Sequence, residues 1–207
     1  MNTRYPHPRR STHPVKIALA LGLTLIVLVL LLAVVHAYPK EGPDVFDRLQ
    51  ELAPKEALPL GPLQAGTRFD SFLLEKEKRL LTAYENGKVV RRYRVSLGRT
   101  PVGAKEYEGD GKTPEGLYYI DDRNPNSSYY KNVNISYPNA EDKKRAAAEG
   151  KSPGGLIKIH GLAPSFASIG KKHLLTDWTE GCVALTNEEM EEVFSRTVIG
   201  SPITIVP

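Results

Sequence analysis

Few residues in the body of this chain could carry out chemistry: a single cysteine and two histidines. Cys182 is the sole cysteine of the 207 residues, and His160 and His173 are the only histidines beyond residue 36. A thiolate beside an imidazole can attack a carbonyl carbon and form a thioester, while the imidazole carries the proton. The combination therefore indicates nucleophilic acyl transfer, and a buried structural cysteine is the simpler alternative.

The neighbours of Cys182 and His160 suit such a role. Gly181 precedes the cysteine and lets the backbone turn tightly, which can direct the N–H groups of residues 181 and 182 at one oxyanion. His160 ends the apolar segment IKIH, and Gly161 opens a loop after it. An imidazole at the end of a strand points into a cleft more readily than one in the middle.

His173 is predicted to have no catalytic role. It follows Lys171 and Lys172 on a polar segment, and neighbouring ammonium groups disfavour the imidazolium that a proton carrier must form. A metal site would need both histidines, Cys182 and a carboxylate, and these residues lack the short spacing of metal ligands. Neither a metal nor another cofactor is therefore expected.

Short strands and few helices are predicted around these residues. Asn86-Gly87 favours a type I′ hairpin turn, and the residues from Thr186 to Glu189 have the form of a capping box. The chain is therefore expected to form a mostly β domain with one or two short helices. Strands are predicted over residues 69–75, 79–85, 88–97, 117–120, 156–160 and 203–206, and helices over 142–149 and 186–195.

The amino-terminal region is predicted to lie in a membrane. Residues 17–35 contain no charge and no proline, and at about 1.5 Å per residue they can span the hydrocarbon core. Basic residues precede this run, so the positive-inside rule places the tail in the cytoplasm. A cleaved signal peptide is the alternative, since Val35-His36-Ala37 offers a small-residue cleavage site.

Four regions follow from this interpretation, and they imply a single-pass protein of the inner (cytoplasmic) membrane with a periplasmic catalytic domain. They are a cytoplasmic basic tail (1–16), a transmembrane helix acting as signal anchor (17–37), a Pro/Gly-rich spacer (38–67) and the catalytic domain (68–207).

The distribution of charge excludes nucleic acid as an expected partner. The formal net charge is +4, and residues 1–16 supply four basic residues and no acidic one. The rest of the chain is neutral and lacks the basic surface that nucleic acid binding requires. One cysteine also excludes an intramolecular disulfide framework.

Several motifs together resemble the L,D-transpeptidase catalytic domain, also called the YkuD domain. They are Ser96-Leu97-Gly98, the run from Thr113 to Tyr118, the triplet IHG at 159–161, and Gly181-Cys182 followed by a predicted helix and strand. The resemblance covers roughly residues 69–207. It implies a β-sandwich-like catalytic domain whose cysteine attacks a carbonyl of a peptidoglycan stem peptide.

The resemblance also implies roles for individual residues. Cys182 corresponds to the nucleophile and His160 to the general acid/base. The carbonyl of Gly161 orients the imidazole, and the N–H groups of Gly181 and Cys182 form the oxyanion hole.

Four further residues are predicted to contact the substrate. Arg123 can bind a stem-peptide carboxylate bidentately, although a surface ion pair is equally consistent. Trp178 and Tyr137 can form the walls of a cleft or pack in the core. Glu180 is a candidate for the same cleft, and its alternative is a solvated carboxylate paired with a cation such as Arg123 or Lys158.

One departure narrows the resemblance. Most family members have Ser-His-Gly-Cys where this chain has Thr-Glu-Gly-Cys at 179–182. Together with the DW pair at 177–178, this resembles a YafK-like branch that includes an amidase releasing the major outer-membrane lipoprotein from peptidoglycan.

Three functions are therefore open. The first is a membrane-anchored cysteine acyltransferase that crosslinks or remodels peptidoglycan, and the second is an amidase or endopeptidase that hydrolyses such links. The third is a non-catalytic peptidoglycan-binding module, against which the presence of both Cys182 and His160 speaks.

Overall fold

A computed structural model of the chain describes residues 61–207. The predicted tail (1–16), the predicted transmembrane helix (17–37) and most of the predicted spacer lie outside the described residues. Within the described range, no helix combines the length and the apolar character needed to cross a membrane.

The described residues form eight strands, two α-helices and a 3-10 helical segment. The mostly β prediction with two short helices is thereby confirmed. The strands are β1 (Ser71–Glu75), β2 (Leu80–Glu85), β3 (Lys88–Arg94), β4 (Gly116–Ser127), β5 (Tyr130–Ile135), β6 (Lys158–His160), β7 (Val183–Ala184) and β8 (Pro202–Val206); the helices are α1 (Ala140–Ala148) and α2 (Asn187–Arg196), and the 3-10 segment is Pro164–Leu175.

The strands form one curled sheet in the order β3-β2-β1-β8-β4-β5-β6-β7. β8 lies between β1, to which it is parallel, and β4, to which it is antiparallel. Beyond β3 the chain reaches β7, where Ser96 and Ala184 exchange two backbone hydrogen bonds. The two edges of the order therefore meet, and the implied sandwich-like architecture takes the form of a single sheet curled around its core.

Alternation along the strands decides which side chains face the core. On β8, Ile203 and Ile205 are buried and Thr204 between them is exposed. Successive side chains of a strand point to opposite faces, so one face of β8 is apolar and packs inside the curled sheet, whereas β2, β6 and β7 have buried residues on both faces. The other face remains available for polar residues, and the candidate site lies on such a face.

Two local predictions are confirmed by the backbone. Asn86 and Gly87 have φ angles of 51° and 73° in the turn between β2 and β3, as a type I′ turn requires. At the start of α2, the Thr186 hydroxyl accepts a hydrogen bond from the Glu189 N–H, and the Glu189 carboxylate accepts one from the Thr186 N–H. This reciprocal capping box fixes where α2 begins.

The β4–β5 hairpin is longer than predicted. The strand predicted over 117–120 extends to Ser127, and the sequence pattern does not predict β5 at all. Polar residues dominate this region, and the register shifts between Ile120 and Asp122 and again between Asn124 and Ser127. Such irregular pairing removes the strict period of two by which strands are recognised.

Candidate active site

β6 ends at the candidate base, and β7 begins directly after the candidate nucleophile. Ile159 and Val183 pair in the parallel ladder between these strands, and both are fully buried in the core. The next pair, His160 and Ala184, therefore faces the opposite side. Cys182 lies directly before β7, and its Sγ lies beside the carbonyl of Leu156, two residues before β6.

The backbone holds the imidazole of His160 in one orientation. Its Nδ1 lies 2.7 Å from the carbonyl oxygen of Gly161, the contact that the family resemblance implies. A carbonyl oxygen can only accept, so Nδ1 carries the proton and Nε2 keeps a free lone pair. Burial lowers the pKa of His160; the Gly161 hydrogen bond opposes this and the charge of Lys158 adds to it. His160 is therefore a neutral base at neutral pH.

Asn187 keeps the Gly161 turn in place. Its Oδ1 accepts a hydrogen bond from the Leu162 N–H at 2.7 Å, and a Cβ added to Gly161 would lie only 2.6 Å from that oxygen. The sequence analysis does not identify Asn187, because its position at the start of α2 gives no sign of a contact with the β6 loop.

The thiol of Cys182 donates to a backbone carbonyl in this structure. Its Sγ lies 3.6 Å from the carbonyl oxygen of Leu156. Burial raises the pKa of the Cys182 thiol, while the backbone N–H and the charge of Lys158 and the charge of Lys105 act in the opposite direction. The resting nucleophile is thus a neutral thiol whose proton must leave during attack.

Leu156 itself adopts an unusual conformation. Its φ is 58°, in the left-handed region that non-glycine residues rarely occupy, and its side chain is 75% exposed. Backbone strain of this kind persists where the surrounding structure enforces it, and it is often found at functional sites. Here the strained residue supplies the carbonyl that holds the thiol.

The residue before Cys182 has to be glycine. Gly181 has a φ of 128°, and a Cβ there would lie 2.5 Å from the carbonyl oxygen of Lys112. Its N–H donates to Thr179 Oγ1 at 3.1 Å, and that hydroxyl donates to the Cys182 carbonyl at 2.8 Å. Thr179 thus engages the Gly181 N–H in the resting structure, and the oxyanion hole formed by the N–H groups of Gly181 and Cys182 stays a prediction.

The glycine-rich loop after β3 packs against this turn and is fixed by one carboxylate. The Asp110 side chain accepts hydrogen bonds from the backbone N–H groups of Glu106, Tyr107 and Lys112, and it pairs with Lys105 at 2.8 Å. Burial raises the pKa of Asp110, but these hydrogen bonds outweigh it and hold the pKa below its usual range. The loop is thereby rigidly placed beside the nucleophile.

Asp177 fixes the segment that leads to the nucleophile. Its Oδ1 accepts a hydrogen bond from the Leu97 N–H at 2.9 Å, and its Oδ2 lies 2.8 Å from Arg79 Nη2. One carboxylate thus joins the chain after β3, the turn before β2 and the approach to β7. This positioning role could be suspected from sequence only through the adjacency of Asp177 to Trp178.

Two aromatic rings surround His160. The ring of Trp178 meets the imidazole edge-on with centroids 5.8 Å apart, and Tyr129 lies closer, at 4.7 Å. The Trp178 indole N–H is buried and has no hydrogen-bond partner within residues 61–207. Trp178 therefore lines the site, as one of its two predicted roles requires, and Tyr129 is a neighbour that the sequence does not reveal.

Arg123 and Tyr137 make hydrogen bonds within the fold. Arg123 donates to the carbonyls of Phe194 and Thr197 at 3.2 and 2.7 Å, at the end of α2 where carbonyls lack helical partners. Tyr137 is 5% exposed, and its hydroxyl donates to the Pro153 carbonyl. Both polar groups are thus used within the fold of the resting structure, and contact of these two residues with a substrate stays a prediction.

Glu180 pairs with Arg99 on the surface. Neither of the cations considered from the sequence, Arg123 and Lys158, is this partner. The Glu180 side chain is 68% exposed and that of Arg99 is 50% exposed, so the pair contributes little to stability. Contact between Glu180 and a substrate stays a prediction.

His173 differs most from its predicted setting. It is buried, not on a polar surface, and Ser96 Oγ donates to its carbonyl oxygen at 2.8 Å while lying 3.1 Å from its Nδ1. Burial, and to a lesser degree the charge of His160, lowers the pKa of His173 to about 4. The structure thus brings a second neutral imidazole close to the first.

Comparison with known protein families and sequences identifies relatives of this region. Residues 72–205 match the family described as the L,D-transpeptidase catalytic domain, YkuD. Over 138 residues the chain is 33% identical to YafK of Escherichia coli (strain K12). The aligned region covers 61% of this chain and 48% of YafK. The chain thus spans about half the length of the curated relatives that it matches.

Solved structures of Pgp2, a helical cell shape determining protein from Campylobacter jejuni, have the same fold. One shows a TM-score of 0.51 at 26% identity, covering 77% of this chain and 54% of Pgp2. A variant of Pgp2 gives a TM-score of 0.50 at 25% identity, covering 76% and 52%.

Proposed function

Because the chain belongs to the L,D-transpeptidase catalytic domain family, we propose that it is a cysteine acyltransferase that remodels peptidoglycan stem peptides through a thioester on Cys182. The observation that carries this proposal is the placement of an imidazole with a free Nε2 at the end of β6 and of a thiol directly before β7, the strand that pairs with β6. This is the pair of groups that thioester formation needs.

Acylation starts from neutral groups. The thiol turns from the Leu156 carbonyl toward His160, and its proton passes to Nε2 while Sγ attacks the donor carbonyl carbon. The C–N bond then breaks and the same proton goes to the leaving amine, which leaves a thioester and a neutral His160. The charges of Lys158 and Lys105, which favour the thiolate, stabilise the sulfur as it loses its proton.

The oxyanion competes with Thr179 for the Gly181 N–H. In the resting structure this N–H donates to a neutral hydroxyl oxygen at 3.1 Å. A hydrogen bond to a charged acceptor is roughly twice as strong as one between neutral groups. A neutral substrate carbonyl therefore does not displace the Thr179 hydroxyl from the Gly181 N–H, whereas the charged oxygen of the tetrahedral intermediate can.

The acceptor decides between the two catalytic functions. An amine that attacks the thioester forms a new crosslink, whereas water releases a free carboxylate and cuts a link. The primary proposal is transfer to an amine, and hydrolysis of the YafK-like kind is the second candidate.

We also propose that residues 17–37 anchor the chain in the inner membrane, with the catalytic domain in the periplasm. The uncharged run and the preceding basic tail support this placement.

Incubation of the full-length chain in detergent with purified peptidoglycan sacculi tests the function. We expect intact-mass analysis to show a stem-peptide adduct on Cys182 and product analysis to show new crosslinks. Loss of links without new ones would favour the amidase, and binding without any adduct would favour a non-catalytic module.

Substitution of the nucleophile provides the control. Cys182→Ser exchanges one sulfur for one oxygen and should keep the fold while abolishing the adduct. An adduct on another residue, or full turnover in this variant, would contradict the assignment.

A further inference from the structure

His173 is a buried titratable residue that the proposed mechanism does not use. It lies in the 3-10 segment and is 3% exposed, and its Nε2 has no hydrogen-bond partner within residues 61–207. Buried polar atoms without a partner are uncommon in folded proteins, and each requires an explanation. The position of His173 relative to the nucleophile offers one.

The register of the sheet places His173 across the nucleophile's strand from His160. Ala184 of β7 pairs with His160 on one side and with Ser96 on the other. Residues paired directly across strands have their side chains on the same face, and Ser96 uses its side chain to hold His173. The two imidazoles therefore flank the strand that leads from Cys182.

The neighbours of Ser96 confirm which face this is. Val95 and Leu97, on either side of it, belong to the buried apolar core. Ser96 therefore points away from the core, toward the side on which His160 lies.

Hydrogen bonding determines which nitrogen of His173 is free. The Ser96 hydroxyl has one proton, and it donates this to the His173 carbonyl at 2.8 Å. The 3.1 Å contact between the same oxygen and Nδ1 then requires the proton on Nδ1. Nε2 of His173 consequently keeps a lone pair, in the same way as Nε2 of His160.

We propose that His173 Nε2 accepts a hydrogen bond from the nucleophile that resolves the Cys182 thioester. This inference rests on the proposed function and concerns its second half-reaction. The attacking atom of an amine or a water has two hydrogens, and the site offers two imidazole lone pairs. Binding both hydrogens directs the nucleophile's own lone pair at the thioester carbon.

The protons and bonds balance in this step. The bond from nitrogen or oxygen to the acyl carbon forms and the C–S bond breaks. One hydrogen of the nucleophile passes to His160 Nε2 and from there to Sγ, which restores the thiol. The second hydrogen remains on the product, hydrogen-bonded to His173 Nε2.

The buried environment of His173 suits an imidazole that accepts a hydrogen bond without becoming protonated. With its pKa near 4, the imidazole stays neutral at neutral pH and keeps its lone pair. The nitrogen is covered in the resting structure, so the 3-10 segment has to shift when the nucleophile enters. Gly170, with a φ of 48°, divides that segment into two short stretches, and such a shift can occur at this residue.

His173→Asn separates the proposed role from a purely structural one. The asparagine amide nitrogen can reproduce the Nδ1 donor to Ser96, but the side chain ends before the position of Nε2. In the full-length chain in detergent, we expect acylation of Cys182 by stem peptide within about threefold of the unsubstituted rate. Resolution of the thioester should slow by about 10- to 100-fold, as expected for one lost hydrogen bond in the transition state.

The readout is the acyl-enzyme itself, followed by intact mass in a single turnover. It should accumulate in His173→Asn but not in Lys172→Gln, an exposed neighbour in the same segment. Ser96→Ala, which removes the group that fixes the Nδ1–H form, should cause a smaller accumulation and serves as the second variant if His173→Asn does not fold.

Two results would overturn the inference. Equal slowing of both half-reactions would show a structural role, and unchanged resolution in His173→Asn and Ser96→Ala would show no role. Absence of any Cys182 adduct in the unsubstituted chain would instead contradict the proposed function, so the two failures are distinguishable.

Discussion

His160 and Cys182 rest as a neutral imidazole and a neutral thiol, not as an ion pair. Burial disfavours the charged form of each group, so it lowers the pKa of His160 and raises that of Cys182. Lys158 lowers both pKa values, since its positive charge repels an imidazolium and attracts a thiolate. The proton therefore moves only as the substrate is attacked, and the pH dependence of the reaction should show this.

We expect the acidic limb of Cys182 acylation to lie below pH 6.5, the ordinary value for histidine from which the His160 pKa is lowered. Because the base must be neutral, the rate falls only as pH drops through this lowered pKa. Alkylation by iodoacetamide requires the thiolate, and it should still rise above pH 9.0, the ordinary thiol value from which the Cys182 pKa is raised.

Single-turnover acylation checks the first part and the rate of iodoacetamide alkylation checks the second, each measured across the pH range. Lys158→Gln removes a charge that lowers both pKa values, so it should move the acidic limb and the alkylation profile to higher pH together. An acidic limb at or above pH 6.5 in the unsubstituted chain would contradict this account.

Among the structural elements, the turn before β7 depends on its contact with the glycine-rich loop. Gly181→Ala should abolish turnover, because its Cβ would lie 2.5 Å from the Lys112 carbonyl in addition to the strain of a φ of 128°. Gly200→Ala is the matched control, since its φ of 92° is strained but no atom lies within 4 Å of the added Cβ.

The free energy of unfolding in denaturant and the turnover rate, measured for both variants, separate the effect of backbone strain from the effect of the contact with Lys112. Gly200→Ala should cost about 1–2 kcal/mol of unfolding free energy and leave turnover unchanged. Equal effects of the two substitutions on turnover would show that contact with Lys112 is unimportant.

Helix α2 depends on Arg123 at its last turn. Arg123→Ala removes two donors to the carbonyls of Phe194 and Thr197, and it should lower the free energy of unfolding by about 1–3 kcal/mol. The KM for stem peptide should not change, since the guanidinium is engaged away from the site. A rise in KM with no change in the free energy of unfolding would instead indicate that Arg123 binds substrate.

Local rules explain which elements the sequence predicts. The type I′ turn at Asn86-Gly87 and the capping box from Thr186 to Glu189 depend on residues adjacent in the chain, so their patterns are visible in one dimension. The contact of His160 with Gly161 is equally local and follows from the family resemblance.

Contacts between distant segments explain what the sequence does not predict. Arg123 donates to carbonyls of α2, Tyr137 donates to the Pro153 carbonyl, and Glu180 pairs with Arg99. In each case the side-chain chemistry suits several partners, and the curled sheet selects one. His173 is the clearest case. Its two neighbouring lysines suggest a solvent-exposed segment, but the imidazole is buried and contacts Ser96.

For the whole molecule, the proposed orientation across the membrane can be tested directly. If the basic tail directs everything after residue 37 to the outside, we expect Cys182 to react with a membrane-impermeant thiol reagent in intact spheroplasts. It is the sole cysteine, so the label needs no further assignment.

A cysteine in the tail provides the opposite signal. Ser11→Cys in a Cys182→Ser background should react only after the membrane is broken. Reversal of the two labelling patterns would invert the topology and place the site away from the cell wall.

The position of β8 between β1 and β4 has a consequence for how the protein is made. β8 follows the other seven strands along the chain, yet it occupies the middle of the sheet. Until it emerges, whether from a ribosome or from an export channel, β1 and β4 have open edges and the half of the sheet that carries Cys182 and His160 lacks its main link to the other half. We therefore expect the thiol to become competent only when synthesis has passed β8, so that unfinished chains would not act on the proposed peptidoglycan substrate.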